Sequence, residues 1–542
     1  MTAATPSDAA LLRGGTVYDG AGGDPVISDV LLVGDRIAGV GVGLVPPPGT
    51  TIWDVTGLDV LPGMIDVHTH DDAALFREGG CEPKIRQGVT TSIIGNCGHG
   101  CAPTIPGGAL AGYSAPVLGP FPATRWDTFE DYLADLGTVP RTVNVGALVP
   151  HAPLRASVMG MERRAANETE LAAMCAALDR ALDAGALGLS FGIMYSPGNV
   201  ASAAELTGLA RVVARHGGLV VAHIRNEADL IIESIDEFVR VATASGAAIH
   251  ISHLKVTGPA NVGRMPEVLA RLEEHRAAGV DVTTDIYPYE AGSSTVATVF
   301  PPWTADRGNA SLLDALSDDE SRHCVIDELT RPWTDVPIEN YFASIGPDNL
   351  VLAGFTVPAH AAYEGRSVAA LATERGQDAA ECLVDLTLAE KGGLSVVLFQ
   401  IDIDGMKSAL AWPWTYIGSD GLPSGRGYVH PRLYGTFSRV LSDYAGDGRV
   451  LSRAEAVQRM TGDPAARFGL PDRGLVREGM YADLLVVEAD GPFDRATFAS
   501  PRLSPEGIRA IFLNGEPAWS PDRPVSSPHG RFLPAQRVRS TL

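Results

Sequence analysis

A chain of 542 residues is too long for one small core and suits two or three domains. Its composition, 45% hydrophobic and 20% charged, is ordinary for a globular protein, and no run approaches the roughly 18 uninterrupted apolar residues that a membrane helix needs. A formal charge of −23 argues against a general nucleic-acid or anionic-membrane surface, while a local cationic pocket remains compatible with it.

The opening Met1-Thr2-Ala3-Ala4-Thr5-Pro6 lacks the basic-then-apolar pattern of a secretion leader, so the chain is expected in the cytoplasm. Short β-prone stretches separated by turns fill residues 1–60, among them Gly15-Thr16-Val17-Tyr18 and Asp29-Val30-Leu31-Leu32-Val33. Strand-like and helix-like segments then alternate. Strands are expected at 61–67, 89–95, 143–149, 187–191, 219–223, 248–252, 280–286 and 416–419, with amphipathic helices such as 166–184 and 226–245 between them. Eight such units suit a parallel (β/α)₈ TIM-type barrel over 61–471, whose active site lies at the strand C-terminal ends. The stretch between the seventh and eighth strands is too long for a plain connection and is read as an inserted lid with a helical return at 365–390. The β texture returns over 472–542, in Ala482-Asp483-Leu484-Leu485-Val486-Val487 and Ile511-Phe512-Leu513. Both chain ends are therefore expected to share one small β-sandwich domain.

Chemistry gathers at the predicted strand ends. Val67-His68-Thr69-His70 places two imidazoles on one face, because alternate strand residues share a side, and makes half of a zinc site. The second strand ends on Asn96-Cys97-Gly98, the fifth on His223 and the sixth on His253; thiolate and imidazole are preferred ligands of a borderline-soft cation. Asp420 closes the eighth strand, where an aspartate can bind a metal or take a proton from water. Singly, each has a plain alternative: packed histidines, an inert thiol, a turn aspartate before Gly421. Together they fall at the ends of five strands. His250, two residues before His253, reads as a core or supporting histidine. Six scattered cysteines make no disulfide framework. Lysine occurs only as Lys84, Lys255, Lys391 and Lys407, so each invites a reason; Lys391 and Lys407 read as solvated surface, and Lys255, two residues past His253, should lie near the metal.

On these motifs the chain resembles the amidohydrolase superfamily, and within it the D-aminoacylase (N-acyl-D-amino-acid deacylase) family, over nearly its whole length. The most specific pieces are Gly63-Met64-Ile65-Asp66-Val67-His68-Thr69-His70-Asp71-Asp72, Gly95-Asn96-Cys97-Gly98, His223-Ile224-Arg225-Asn226-Glu227, Ile251-Ser252-His253-Leu254-Lys255 and Ile417-Gly418-Ser419-Asp420-Gly421. The resemblance implies zinc-dependent hydrolysis of the amide bond of N-acyl-D-amino acids. Cys97, His223 and His253 would hold one tightly bound Zn²⁺, His68 and His70 would line a second, weaker metal position, and Asp420 would be the catalytic acid/base and a further ligand. If the second metal is absent, His68 or His70 could instead stabilise the tetrahedral oxyanion. It further implies that Tyr287 and Ser293 bind the substrate carboxylate with Lys255. Arg225 and Glu227 look salt-bridged, with Arg225 a further candidate for substrate contact. Pro150-His151-Ala152-Pro153 departs from the family's usual Gly-His-Gly-type turn, and 296–415 matches only in patches.

Two other readings compete. A hydantoinase-like cyclic amidase would need a bridging lysine on strand four, which Ala186-Leu187-Gly188-Leu189-Ser190-Phe191-Gly192 lacks. A non-catalytic scaffold on the same barrel should have lost ligands, whereas all six are present. A small-molecule substrate is the expected partner, with no nucleic acid and no membrane; the oligomeric state is open.

Overall fold

The computed structural model describes residues 9–77, 79–105, 108–121, 125–305, 308–333, 336–423, 427–522 and 528–536. The N-terminal strands are β1 (Ala9–Val17), β2 (Val26–Val33), β3 (Arg36–Gly41), β4 (Thr51–Asp54) and β5 (Leu58–Pro62). A second run is buried on both faces, as strands flanked by helices must be: β6 (Met64–Asp66), β7 (Val89–Ile94), β8 (Asn144–Pro150), β9 (Gly188–Gly192), β10 (Leu219–His223), β11 (Ala248–Ile251) and β12 (Val282–Ile286). After them come β13 (Ala291–Thr295), β14 (Leu350–Ala353), β15 (Arg366–Ser367) and β16 (Ser395–Phe399), then β17 (Thr415–Ile417). The last three are β18 (Leu484–Glu488), β19 (Ile508–Leu513) and β20 (Glu516–Trp519).

Parallel ladders join β17-β12-β11-β10-β9-β8-β7-β6 into the expected eight-stranded barrel. Its seam, between β6 and β17, is thin: a bridge pairs Thr69 with Gly421, and the Asp420 N–H donates to the His68 carbonyl at 2.8 Å. Ile65, Val67, Ile93, Leu148, Leu187, Leu219 and Val221 pack with Phe468 and Leu533 in one apolar cluster, so the barrel is a packed core. The first strand is shorter than its sequence suggests, because Leu61 and Pro62 belong to β5.

The helix Glu168–Asp183 follows from an Asn167–Glu170 capping box and from Met174, Leu178, Ala181 and Leu182, which recur on one buried face. The helix Ile231–Ser245 starts five residues later than expected, since the Asn226 side chain accepts from the N–H groups of Ala228 and Leu230 and makes a turn there instead.

The two chain ends meet in one sheet of order β20-β19-β18-β5-β1-β2-β3, with β4 beside β1. Leu12, Val30, Val60, Leu484, Val486 and Phe512 form its core, and Trp53 of β4 packs on it, meeting Phe512 of β19 edge-on at 5.2 Å. The tail leaves this unit: the bridge of Phe532 to Val145 and the Leu533 N–H bond to the Val145 carbonyl (2.8 Å) place residues 528–536 on the barrel. The insertion between β12 and β17 is a folded cap with its own sheet, β13-β16-β14-β15, and its own core of Leu312, Val325, Leu352, Leu371, Leu383 and Val396. The helices Val368–Arg375 and Ala379–Ala389 occupy the expected helical return. No helix among the described residues is long and apolar enough to cross a membrane.

Candidate metal centre and substrate pocket

The barrel brings the six proposed ligands to one mouth. His68 and His70 follow β6, Cys97 follows β7, His223 ends β10, His253 follows β11 and Asp420 follows β17. Ligand atoms lie within 4.8 Å of one another in three groups: His68, His70 and Cys97; Cys97, His223 and His253; and His68, His253 and Asp420. Cys97 Sγ is 3.2 Å from His68 Nε2 and 3.4 Å from His253 Nε2, and His223 Nδ1 is 2.8 Å from His253 Nε2. Asp420 Oδ1 is 3.1 Å from His70 Nε2 and 3.5 Å from His68 Nε2.

Backbone conformation does part of this work. Among the described residues only five non-glycines have positive φ, and three are Cys97 (52°), His253 (37°) and Asp420 (49°). Each sits just past a strand end, where a left-handed turn swings the side chain inward at a cost of about 1–3 kcal/mol. Gly418 allows the last strand to come close: a Cβ there would stand 2.5 Å from the His68 Cβ.

Behind the ligands stand supporting groups, of which sequence reasoning passed over Asp285 and Arg432. Asp285, fully buried on β12, receives His68 Nδ1 (3.1 Å), His250 Nε2 (3.0 Å) and the His253 N–H (2.9 Å). It therefore aims His68 Nε2 at the centre, in the carboxylate–histidine arrangement common around metals. His250 bonds Asp285 and Thr283, as a supporting histidine should. Glu227 pairs with Lys255 (2.7 Å) and with His253 Nδ1 (3.1 Å). Arg432 holds Asp420 Oδ2 at 2.8 Å, lies over the Tyr287 ring at 4.5 Å and donates to the Ser293 carbonyl. An aspartate inside one of the barrel strands was a usable signal for Asp285; Arg432, twelve residues past Asp420, offered none.

Burial opposes charge throughout, and at Cys97, Asp420 and Glu227 local partners overcome it. Burial works to raise the Cys97 thiol, yet His68 and His253 hold it well below the usual thiol range. The Asp420 carboxyl, also opposed by burial, is held far below the carboxylate range by Arg432 and then His68. Burial is again outweighed at Glu227, which Lys255 and the two histidines bring to about 2. Burial, aided by the nearby Asp420 and Glu227 carboxylates, pushes Tyr287 up to about 12, so its hydroxyl keeps its proton. A thiol biased to thiolate among imidazoles is a donor set that fits zinc.

Most of the ligand residues face one small pocket with a cavity volume of about 30 Å³. His70, Cys97, His223, His253 and Asp420 form its floor; Lys255, Tyr287 and Ser293 line it, with Ser293 brought in by β13 of the cap. Arg225 differs from expectation on both counts. Its guanidinium binds Glu237 through two 2.9 Å bonds and the carbonyls of Ile193 and Asn199, so it neither pairs with Glu227 nor lines the pocket. Tyr289 packs edge-on against His430 and Phe498. His151 bonds Glu205 at 2.9 Å and is likewise outside the pocket lining. Strand β9 carries no lysine; its Ser190 hydroxyl accepts the Gly98 N–H and so supports the Cys97 turn.

The chain is similar to several known proteins. A model of the amidohydrolase family matches residues 51–322 and 362–518. N-acyl-D-glutamate deacylase of Alcaligenes xylosoxydans xylosoxydans is 36% identical over 96% of both chains, and the D-aminoacylase of the same organism is 35% identical over 96% of this chain and 97% of its own. A crystal structure of N-acyl-D-glutamate deacylase from Bordetella bronchiseptica, complexed with zinc and a phosphonate mimic of the tetrahedral intermediate, superposes with a TM-score of 0.81 at 33% identity, covering 97% of this chain and 99% of that one. The chain belongs to the amidohydrolase family, on its D-aminoacylase branch.

Proposed function

We propose that this protein is a zinc-dependent deacylase that hydrolyses the amide bond of N-acyl-D-amino acids to a carboxylate and a free D-amino acid. One observation carries the reading: a Cys-His-His ligand set and a buried aspartate share one pocket with an ammonium and two hydroxyl groups. Cys97, His223 and His253 would hold one ion tightly, and His68 and His70 with Asp420 would line a weaker position. When bound, zinc supplies Lewis acidity for the amide carbonyl and the attacking water.

The chain's own groups do the rest. Asp420, ionised and fixed by Arg432, accepts a proton from the water and passes it to the leaving nitrogen, which cannot depart as an anion. Where the weaker metal position is empty, His70, which lines the pocket, or His68 behind it would stabilise the developing negative charge on the former carbonyl oxygen. Lys255, Tyr287 and Ser293 bind the carboxylate beside the scissile bond and orient it. The preference for D-substrates rests on what the relatives are named for.

The test is amine release from paired N-acetyl D- and L-amino acids, with metal analysis of the same sample. Release from the D-series by zinc-containing protein is expected. Full zinc without amine release from either series would refute the reading, and ring-opening of a hydantoin alone would move it to the cyclic amidases.

A further inference from the structure

Lys84 is a lysine that the proposed chemistry leaves unused. It lies in the short helix Glu82–Ile85 between β6 and β7, and none of its side chain is exposed. Its ammonium donates to Asp66 Oδ2 at 2.7 Å and to the Ser419 hydroxyl, with the Asp71 carboxylate 3.8 Å away. Taking an ammonium out of water costs several kcal/mol, and a pair of apolar residues of equal volume often packs as well or better. Stability alone is therefore a weak reason for this lysine.

Its location supplies a stronger one. Lys84 sits behind the β6–β17 seam, where the barrel ladder is thinnest. Asp66 Oδ1 accepts the Ser419 N–H at 2.8 Å and the His68 N–H at 3.2 Å, and the Ser419 hydroxyl accepts the Gly421 N–H at 3.1 Å. The bonds that converge on Lys84 and Asp66 thus grip the residue before Asp420, the residue after it, and the backbone of His68. Asp420 itself is in a left-handed conformation that its surroundings must impose.

We propose that Lys84 is a positioning residue for Asp420: clamped between Asp66 and Ser419, its ammonium sets where the Asp420 carboxylate stands relative to His68 and His70. The kinetic part of the test rests on the deacylase reading; the crystallographic part does not.

Lys84→Met alone would strand the Asp66 carboxylate, the ammonium's 2.7 Å partner, so the informative form is full-length, zinc-loaded Lys84→Met/Asp66→Asn, in which the amide oxygen can still accept from Ser419 and His68. Zinc at the Cys97-His223-His253 position is expected to be retained, with KM within about twofold of wild type. A misplacement of about 1 Å lowers turnover about a hundredfold, so kcat should fall about thirty- to a hundredfold. A crystal structure should show the Asp420 carboxylate moved off His70 while Cys97, His223 and His253 keep their places. An unmoved Asp420, or a kcat within about twofold of wild type in the folded variant, overturns the proposal. Should the double variant not fold, Ser419→Ala removes only the hydroxyl end of the clamp. A kcat loss of about three- to tenfold at constant KM then supports the proposal, and an unchanged kcat with an unmoved Asp420 overturns it. A wild-type protein inactive on every N-acyl amino acid would refute the deacylase reading and leave the crystal structures to decide Lys84.

Discussion

Replacing Lys255 by methionine keeps the bulk of the stem and removes the charge, and the structure shows that this does two separate things. The ammonium is 2.7 Å from Glu227 and 2.8 Å from His253 Nδ1, so its loss strips a buried carboxylate of its main partner beside a proposed zinc ligand. That damage is felt by any substrate. The second effect, loss of a partner for the substrate carboxylate, is felt only by substrates that carry one. A hydrogen bond to a charged group contributes about 1.5–3 kcal/mol, which corresponds to about ten- to 150-fold in kcat/KM. The assay is therefore a double cycle: wild type and Lys255→Met, each with an N-acetyl-D-amino acid and with the N-acetyl amine that lacks the carboxylate. The amine should be a poor substrate of wild type, and the mutation should lower it only by the shared, indirect part. A coupling energy of about 1.5 kcal/mol or more supports direct contact. Simple additivity would refute it and leave the carboxylate to Tyr287 and Ser293.

Three further outcomes are expected. Cys97→Ala should lose the tight zinc and turnover while remaining folded, and metal analysis showing undiminished zinc would return Cys97 to the status of an inert buried thiol. Asp420→Asn should keep that zinc but lose at least about two orders of magnitude in kcat, the usual scale for a general acid/base; near-normal kcat would make it a turn residue. Glu339, buried between the hydroxyls of Thr257 and Ser344, has its carboxyl raised by burial from 4.5 to about 7. Its folded form holds a proton that the unfolded chain releases, so this contribution is complete below about pH 4.5 and lost as the pH rises through about 7. Thermal scans at about pH 5 and about pH 8.5 should show a larger drop in Tm for wild type than for Glu339→Gln, and parallel drops would count against it.

How much of this was legible in the sequence depended on whether the signal was local. The barrel strands are mostly apolar runs between helical periods, and the candidate ligands stand out because five such runs each end on an imidazole, a thiol or a carboxylate, which packing alone does not explain. The six ligand positions followed from that pattern. Arg225 misled because Glu227 is near it in sequence, yet residues two apart on an irregular segment need not face each other, and its partner Glu237 lies on the next helix. Arg432 and Lys84 matter only through contacts about 12 and 335 residues away along the chain, with Asp420 and Ser419, that no periodicity encodes. The tail at 528–536 was grouped with the end sheet only because it follows it in the chain; its bridge to Val145 of the barrel is a long-range contact that the sequence does not signal.

The left-handed turns at Cys97, His253 and Asp420 carry a consequence for anyone engineering this protein. Glycine relieves such a backbone and asparagine tolerates it, whereas valine or isoleucine worsens it. Thermostability selection and activity selection should therefore pull these three positions apart, the first admitting glycine or asparagine and the second refusing both. Elsewhere in the barrel wall, at Val89 or Val220, the two selections should agree, because buried side chains there serve packing alone. A deep mutational scan scored both ways would trace the catalytic mouth as the set of positions where the rankings disagree.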